Sequence, residues 1–207
     1  VKIVNETQHL SNVGVTFGDP EFDIPKIRDH KNKVISQLNG GIAQLAKARN
    51  VNVLCGKASF MSNSEIIVET SEKKEKIQFK NCIIASGSTA AMLPNLPLDH
   101  PLVLTSKTAL NLDDIPDSLL IIGGGIIGLE LGQVYSTLGT DVSVVEYMPS
   151  LIPGADDDIT KPLIRKLKKH FKSIMLSSKV INVDVEFEEG VRVSIESNTE
   201  IKNQVYD

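Results

Sequence analysis

The chain is short of the groups that mark several large functional classes. It has two cysteines, Cys55 and Cys82, with no partner at CxxC or CxxxxC spacing, so it offers neither a zinc site nor a local redox pair. Isolated cysteines of this kind are expected to be small buried apolar side chains. No apolar run approaches the roughly 20 residues that cross a bilayer, and no charged-then-apolar signal layout opens the chain. A soluble, cytoplasmic protein with no membrane contact is the expectation. Cations are not clustered either: 22 basic residues stand against 26 acidic ones, a net charge of −4. Phosphate neutralisation would need a basic stripe, so no nucleic-acid surface is expected. The one basic run, Lys166, Lys168 and Lys169, is flanked by apolar residues and reads as the outer face of a helix. There is no repeat at a solenoid period.

What is present is an ordinary globular composition. At 207 residues and 41% hydrophobic, the chain can bury the core of one large domain or two small ones. It begins at Val1 rather than Met and stops at Val205-Tyr206-Asp207, just after a strand-like pattern, so a piece of a longer protein is expected.

From residue 23 to 49, the positions Ile24, Ile27, Val34, Ile35, Leu38, Ile42, Leu45 and Ala46 follow helical spacing, with Asp23 as N-cap and Pro25 in the first turn. Gly40-Gly41 lies inside this helix at a cost of about 1 kcal/mol per glycine. That pair implies either a backbone or ligand passing close by, or a kink. Short strand-like pieces follow at 51–54, 59–61, 66–70, 76–79 and 82–85, with residues 71–75 as a hairpin tip. Pro94, Pro97 and Pro101 then exclude helix and central strand, and a domain boundary is expected near residues 101–116. Within it, residues 106–110 read as a single capped helical turn.

The last part alternates most clearly. Strand 119–122, helix 126–138, strand 141–145, helix 158–171 and strand 173–176 make the pattern of a parallel sheet with right-handed crossovers. Residues 180–187 and 191–196 alternate with period two around Glu188-Glu189-Gly190, as an antiparallel hairpin does.

Chemistry concentrates at Gly123-Gly124-Gly125-Ile126-Ile127-Gly128, a GxGxxG that follows an apolar strand and opens a helix. Gly123 makes the tight turn, Gly125 lets a pyrophosphate approach the backbone, and Gly128 lets helix and sheet pack closely. The helix N-terminus adds N–H groups and partial positive charge. Alone this motif is weak, but Glu146 closes the second strand roughly 20 residues on, where a carboxylate accepts ribose hydroxyls and repels a 2′-phosphate. NAD is favoured over NADP. Glu130, placed in the first turn of the helix, reads from physics alone as either a solvated acid complementing the dipole or a functional group.

Several further blocks accompany these: Val15-Thr16-Phe17-Gly18, Gln37-Leu38-Asn39-Gly40-Gly41, Ile83-Ile84-Ala85-Ser86-Gly87-Ser88, Leu138-Gly139-Thr140 and Ile152-Pro153-Gly154-Ala155-Asp156. Together, and in this order, they make the chain resemble the pyridine nucleotide-disulfide oxidoreductases, and within them the bacterial dihydrolipoamide dehydrogenases. The resemblance implies an α/β fold with two nucleotide-binding Rossmann-like domains, both incomplete here. Residues 1–105 match the later part of an FAD-binding domain, and 106–207 an NAD-binding domain lacking its last strand, which leaves a sheet edge unpaired.

By the same resemblance the cofactors are FAD and NAD, and electrons pass from dihydrolipoamide through a cysteine pair and FAD to NAD+. Ala58 meets the FAD adenine through its backbone, and Ala85, Ser86 and Gly87 form a second FAD-contacting turn, where threonine is commoner than Ser86. Gly123, Gly124, Gly125, Ile126 and Ile127 line the NAD pyrophosphate, Glu146 holds the adenosine ribose, and Val180 lies along the adenine. Glu130 matches a glutamate beside nicotinamide and flavin. The implied partners are a homodimer in the full-length protein and a dihydrolipoamide-bearing acyltransferase of a 2-oxoacid dehydrogenase complex.

The family's redox CxxxxC, flavin-side lysine and first GxGxxG lie upstream of the segment matching residue 1, and its His-Glu pair and dimer domain lie downstream of Asp207. Cys55 and Cys82 match β-region residues, and His9, His30, His100 and His170 read as surface residues. The 207 residues alone are therefore expected to be inactive. Two alternatives carry weight: a sibling flavoenzyme such as an NADH oxidase or a mercuric or glutathione reductase, and a non-catalytic NAD-binding module. Glutathione reductases prefer NADP and place positive charge where Glu146 lies, which counts against that sibling.

Overall fold

A computed structural model describes residues 1–91, 96–186, 188–198 and 200–207; Pro94 and the last residue of the expected strand 180–187 lie outside them. The chain divides into two compact units, one formed by Val1–Ile24 with Ala90–Asp207 and the other by Pro25–Thr89.

The first unit opens with α1 (Lys2–His9) and a 3-10 turn, Leu10–Val13. Helix α2 (Ile24–Ala48) spans the junction and runs unbroken through Gly40-Gly41. A Cβ on either glycine would meet nothing within 4 Å, so no described backbone passes close to them. The apolar stripe of α2 is exposed, with Leu38, Ile42 and Leu45 each more than half accessible. Three strands follow in the second unit, β1 (Lys57–Ser62), β2 (Glu65–Glu69) and β3 (Lys74–Gln78), as an antiparallel meander in that order. The β2–β3 tip is held by Thr70, whose N–H donates to the Lys73 carbonyl at 2.9 Å and whose Oγ1 accepts from the Lys73 N–H at 3.0 Å.

Segments 51–54 and 82–85, expected as strands, are not in any sheet. A strand exists only where a neighbour takes its N–H and C=O groups, and no described strand runs beside them. Cys55 and Cys82, which border or begin these segments, are therefore exposed rather than buried.

The rest of the first unit follows the expected alternation. A single turn, α3 (Ser106–Ala109), carries a capping box in which Thr105 and Thr108 exchange side-chain and backbone bonds. Then come β4 (Ser118–Ile122), α4 (Ile126–Thr137), β5 (Asp141–Val145), α5 (Asp157–Leu167) and β6 (Ser173–Met175). The three strands are parallel, with β5 central. Val142, Val144 and Val145 are essentially inaccessible, as a strand covered on both faces requires. Helix α5 stops earlier than expected, because the chain turns at Lys168–His170 to tuck the nearly buried Phe171 against α4. Asp157 and Asp158 open α5 and Arg165 and Lys166 close it, matching its dipole.

A second meander completes the unit: β7 (Ser178–Asp184), β8 (Val191–Ser197) and β9 (Glu200–Tyr206), antiparallel in that order. Its core is Val191, Val193 and Ile195, the alternate residues of β8, packed with Tyr206 and Val145. The end of β9 returns to the start of β4, where the Ser118 N–H and Oγ both donate to Asp207 Oδ2 at 2.8 Å. Among the described residues no helix is long and apolar enough to cross a membrane.

Candidate nucleotide site

The turn between β4 and α4 is built from three glycines that meet three different constraints. Gly123 sits at φ +104°, where a side chain would be strained, and its N–H donates to the Val145 carbonyl at 2.8 Å. Gly124 is buried, and a Cβ there would lie 2.4 Å from Leu151 Cδ2. Gly125 is the N-cap of α4, accepts the Leu129 N–H at 3.1 Å, and has nothing within 4 Å of where a Cβ would be.

The helix that follows begins without a side-chain cap and without an acid in its first turn. An α-helix leaves its first N–H groups without intrahelical acceptors, so α4 presents donors and partial positive charge beside an open space. Ile126 and Ile127, at its first two positions, are exposed. Behind the turn, Cβ atoms on Gly128 and Gly132 would lie 2.8 and 2.7 Å from the Ile121 side chain. These two glycines let α4 lie directly on β4.

Glu146 continues β5 and is only 7% exposed. Its Oε2 accepts the Gly124 N–H at 2.7 Å and its Oε1 accepts the Met148 N–H at 2.6 Å. Its own N–H donates to the Met175 carbonyl at 2.8 Å, and its carbonyl accepts the Ser178 N–H at 3.0 Å. A buried carboxylate is tolerated only when hydrogen-bonded, and here each oxygen has one backbone donor and keeps further lone pairs. Val180 lies two residues beyond Ser178, half-buried against the core of the second meander. The structure thus brings Gly123, Gly124, Gly125, Ile126, Ile127, Gly128, Glu146 and the start of β7 into one neighbourhood.

The other expected site residues are each described within their own unit. Glu130 is the fifth residue of α4, not in its first turn, because the helix starts at Ile126; its side chain is exposed. Ala58 is exposed on β1 opposite Val68, and Ala85, Ser86 and Gly87 are exposed in the irregular segment after β3, with Gly87 at φ +74°. These four belong to the second unit. His9, His30 and His170 are exposed as expected, whereas His100 is half-buried and its Nδ1 accepts the Leu102 N–H at 3.4 Å. A cavity of about 770 Å³ runs along β4 and takes in Gly123, Gly125 and Gly128, but its other walls include Leu120, Ile122 and Val193 and it does not reach Glu146. Ile126 and Ile127 at the start of α4 line it as well, so its polar end is the glycine turn and the rest of its walls are largely apolar.

The sequence singles out the segment after Glu146 as a block at residues 152–156, but does not show its packing on Gly124. Leu151 and Ile152 close over Gly124, Leu151 lying where a Cβ on it would go and the Ile152 N–H donating to its carbonyl at 2.9 Å. The available signal was Pro153-Gly154, a turn dipeptide just beyond strand β5. Gly132, four residues past Gly128 on the same helical face, was legible as a small-residue contact and was also passed over.

The family model for pyridine nucleotide-disulphide oxidoreductases matches residues 2–205. The chain is 44% identical over 195 residues to a dihydrolipoyl dehydrogenase of Vibrio parahaemolyticus, covering 94% of this chain and 41% of that protein. It is 37% identical over 207 residues to a dihydrolipoyl dehydrogenase of Haemophilus influenzae, covering 100% of this chain and 43% of that protein. The chain thus spans well under half the length of these curated relatives. Among solved structures, the HOCl-induced flavoprotein disulfide reductase RclA from Escherichia coli superposes with a TM-score of 0.74 at 25% identity, over 97% of this chain and 43% of the other. LpdA from Mycobacterium tuberculosis gives a TM-score of 0.83 at 19% identity, over 98% and 44%, and so shows the fold. With a family match across nearly the whole chain and a glycine turn closed by an acidic strand end, the chain belongs to the pyridine nucleotide-disulphide oxidoreductases.

Proposed function

We propose that this chain is part of an NAD-dependent flavoprotein disulfide oxidoreductase of the dihydrolipoamide dehydrogenase type, which oxidises dihydrolipoamide to lipoamide and reduces NAD+ to NADH by way of FAD and a redox disulfide. One observation carries the reading: an uncapped helix N-terminus and a buried strand-end carboxylate meet at the same glycine turn. Residues 106–207 are the NAD-binding domain, and residues 1–105 are the later part of the FAD-binding domain.

The N–H groups of Gly123 and Gly124 are already taken by Val145 and Glu146. The donors left for a pyrophosphate are those of the first turn of α4, including Ile126 and Ile127, and the bare Cα of Gly125 allows its approach. The remaining lone pairs of Glu146 take the ribose hydroxyls and disfavour a 2′-phosphate, while Val180 borders the adenine. The nicotinamide, when bound, supplies a hydride acceptor. Glu130, exposed on α4, faces the flavin side in the complete protein and helps to orient the nicotinamide. Ala58, Ala85, Ser86 and Gly87 contribute backbone to the FAD site. The full-length protein acts in the cytoplasm as a homodimer, with a dihydrolipoamide-bearing acyltransferase of a 2-oxoacid dehydrogenase complex as its partner.

A disulfide reductase with another substrate is the second reading, favoured by the likeness to RclA. Turnover of the full-length protein separates the two. NAD+-dependent oxidation of dihydrolipoamide, faster than NADH-dependent reduction of other disulfides, is the expected result. Absence of NADH formation with dihydrolipoamide would defeat the first reading.

A further inference from the structure

We propose that Glu146 is a positioning residue for the glycine turn itself, acting with the loop of residues 147–155 as a latch on Gly124. The inference rests on the nucleotide-site reading above and deepens it. Gly124 is held from both sides, its N–H by Glu146 Oε2 at 2.7 Å and its carbonyl by the Ile152 N–H at 2.9 Å. The other oxygen of Glu146 takes the Met148 N–H at 2.6 Å. One carboxylate therefore ties the turn to the loop after β5, and that loop closes back on the same glycine.

Two further features show that this closure is specific. Leu151 is fully buried and occupies the place a Cβ on Gly124 would need. Ile152 is held at φ +50°, a conformation that β-branched residues avoid and that persists only where the surroundings impose it. A carboxylate needed only to receive ribose hydroxyls would present its oxygens to solvent. Glu146 instead is 7% exposed, with both oxygens already accepting backbone donors. Its removal releases the Gly124 N–H and leaves the turn held only through the Ile152 bond, which loosens Gly125 and the first turn of α4. Ribose recognition and pyrophosphate binding are thus coupled through one side chain.

Glu146→Gln is the informative variant because it keeps the shape but replaces one acceptor oxygen with an NH2 group, so one of the two backbone N–H groups faces another donor. In the full-length protein without nucleotide, amide hydrogen exchange at whichever of Gly124 and Met148 faces the new NH2 group should accelerate at least about tenfold while the interior of α4 is unchanged, reflecting the loss of a charge-assisted bond. Calorimetry with ADP and with 2′,3′-dideoxy-ADP, which lacks the ribose hydroxyls, should show both ligands weakened by about tenfold or more. If dideoxy-ADP binds the variant as it binds the wild type while ADP weakens, Glu146 serves the ribose alone and the inference is overturned. If wild-type protein binds neither ligand, the nucleotide-site reading fails first and the inference falls with it. Should Glu146→Gln fail to fold, Leu151→Ala unseats the loop while leaving the carboxylate, and unchanged dideoxy-ADP affinity in that variant would equally count against the latch.

Discussion

Gly125 and Gly128 are three residues apart in one motif, yet substitutions at them should fail in different ways. A Cβ on Gly128 would lie 2.8 Å from Ile121 Cγ2 and 2.9 Å from the Gly123 carbonyl oxygen. The methyl can move, but the carbonyl belongs to the glycine turn. Overpacking of this kind costs about 1–3 kcal/mol, and alanine's better helix propensity offsets roughly 1 kcal/mol of it. The net loss for Gly128→Ala is about 1 kcal/mol, which lowers Tm by about 4–8 °C in a domain of roughly 100 residues. At Gly125, by contrast, nothing lies within 4 Å of an added Cβ and the backbone is extended. Gly125→Val should leave far-UV circular dichroism nearly unchanged, at the modest cost of a poorer N-cap residue, while filling the space where a pyrophosphate approaches the helix. NADH affinity should then fall by roughly a hundredfold or more, comparable to losing several charge-assisted hydrogen bonds. Thermal melts and calorimetric titration of the full-length variants check both halves. Retained NADH affinity in Gly125→Val would show that the phosphates do not lie on this turn. A larger melting loss there than in Gly128→Ala would refute the packing argument.

Three other expectations are open to direct measurement. Glu146→Ala combined with Tyr147→Arg, which places a cation on an exposed neighbour, should move the NADH to NADPH affinity ratio toward NADPH, and an unchanged ratio in paired titrations would count against the ribose-carboxylate assignment. Glu130→Gln in the full-length protein should slow flavin reduction by NADH more than it weakens NADH binding; equal rates in rapid mixing would return Glu130 to an ordinary solvated acid. The buried Tyr135 hydroxyl donates to the Ala109 carbonyl at 2.8 Å and ties α4 to α3, so Tyr135→Phe should cost about 1–2 kcal/mol. Burial, followed by the nearby Asp113 and Asp114 charges, raises the pKa of this phenol above its ordinary value of 10.0. The unfolded chain therefore loses this proton first as pH rises, so the hydroxyl's contribution is complete below pH 10 and declines above it. Alkaline melts of Tyr135→Phe should fall less steeply than those of the wild type.

The parallel-sheet half was legible because its signals are local and agree with one another. Apolar strands, a glycine turn and an acidic strand end each follow from neighbours in sequence, and residues 141–145 needed no correction. The half around α2 was less legible. Residues 51–54 and 82–85 have strand composition but no described strand to pair with, so composition and structure part company there. The exposed stripe of α2 shows the same thing for a helix: periodicity predicts the element without showing what covers it. Within the site, the sequence places an acid at the end of β5 and leads to the expectation of a ribose partner, but it does not announce the bond from Glu146 to the Gly124 N–H, since that contact depends on how residues 147–155 fold back. Pro153-Gly154 announces a turn without telling what the turn closes on.

The most direct test of the account is a crystal structure of the full-length protein with NAD+ bound. The pyrophosphate should lie within hydrogen-bond distance of the Ile126 and Ile127 N–H groups, with a ribose hydroxyl on Glu146 while Glu146 still holds the Gly124 N–H. A nucleotide bound away from this turn, or a ribose with no contact to Glu146, would contradict it.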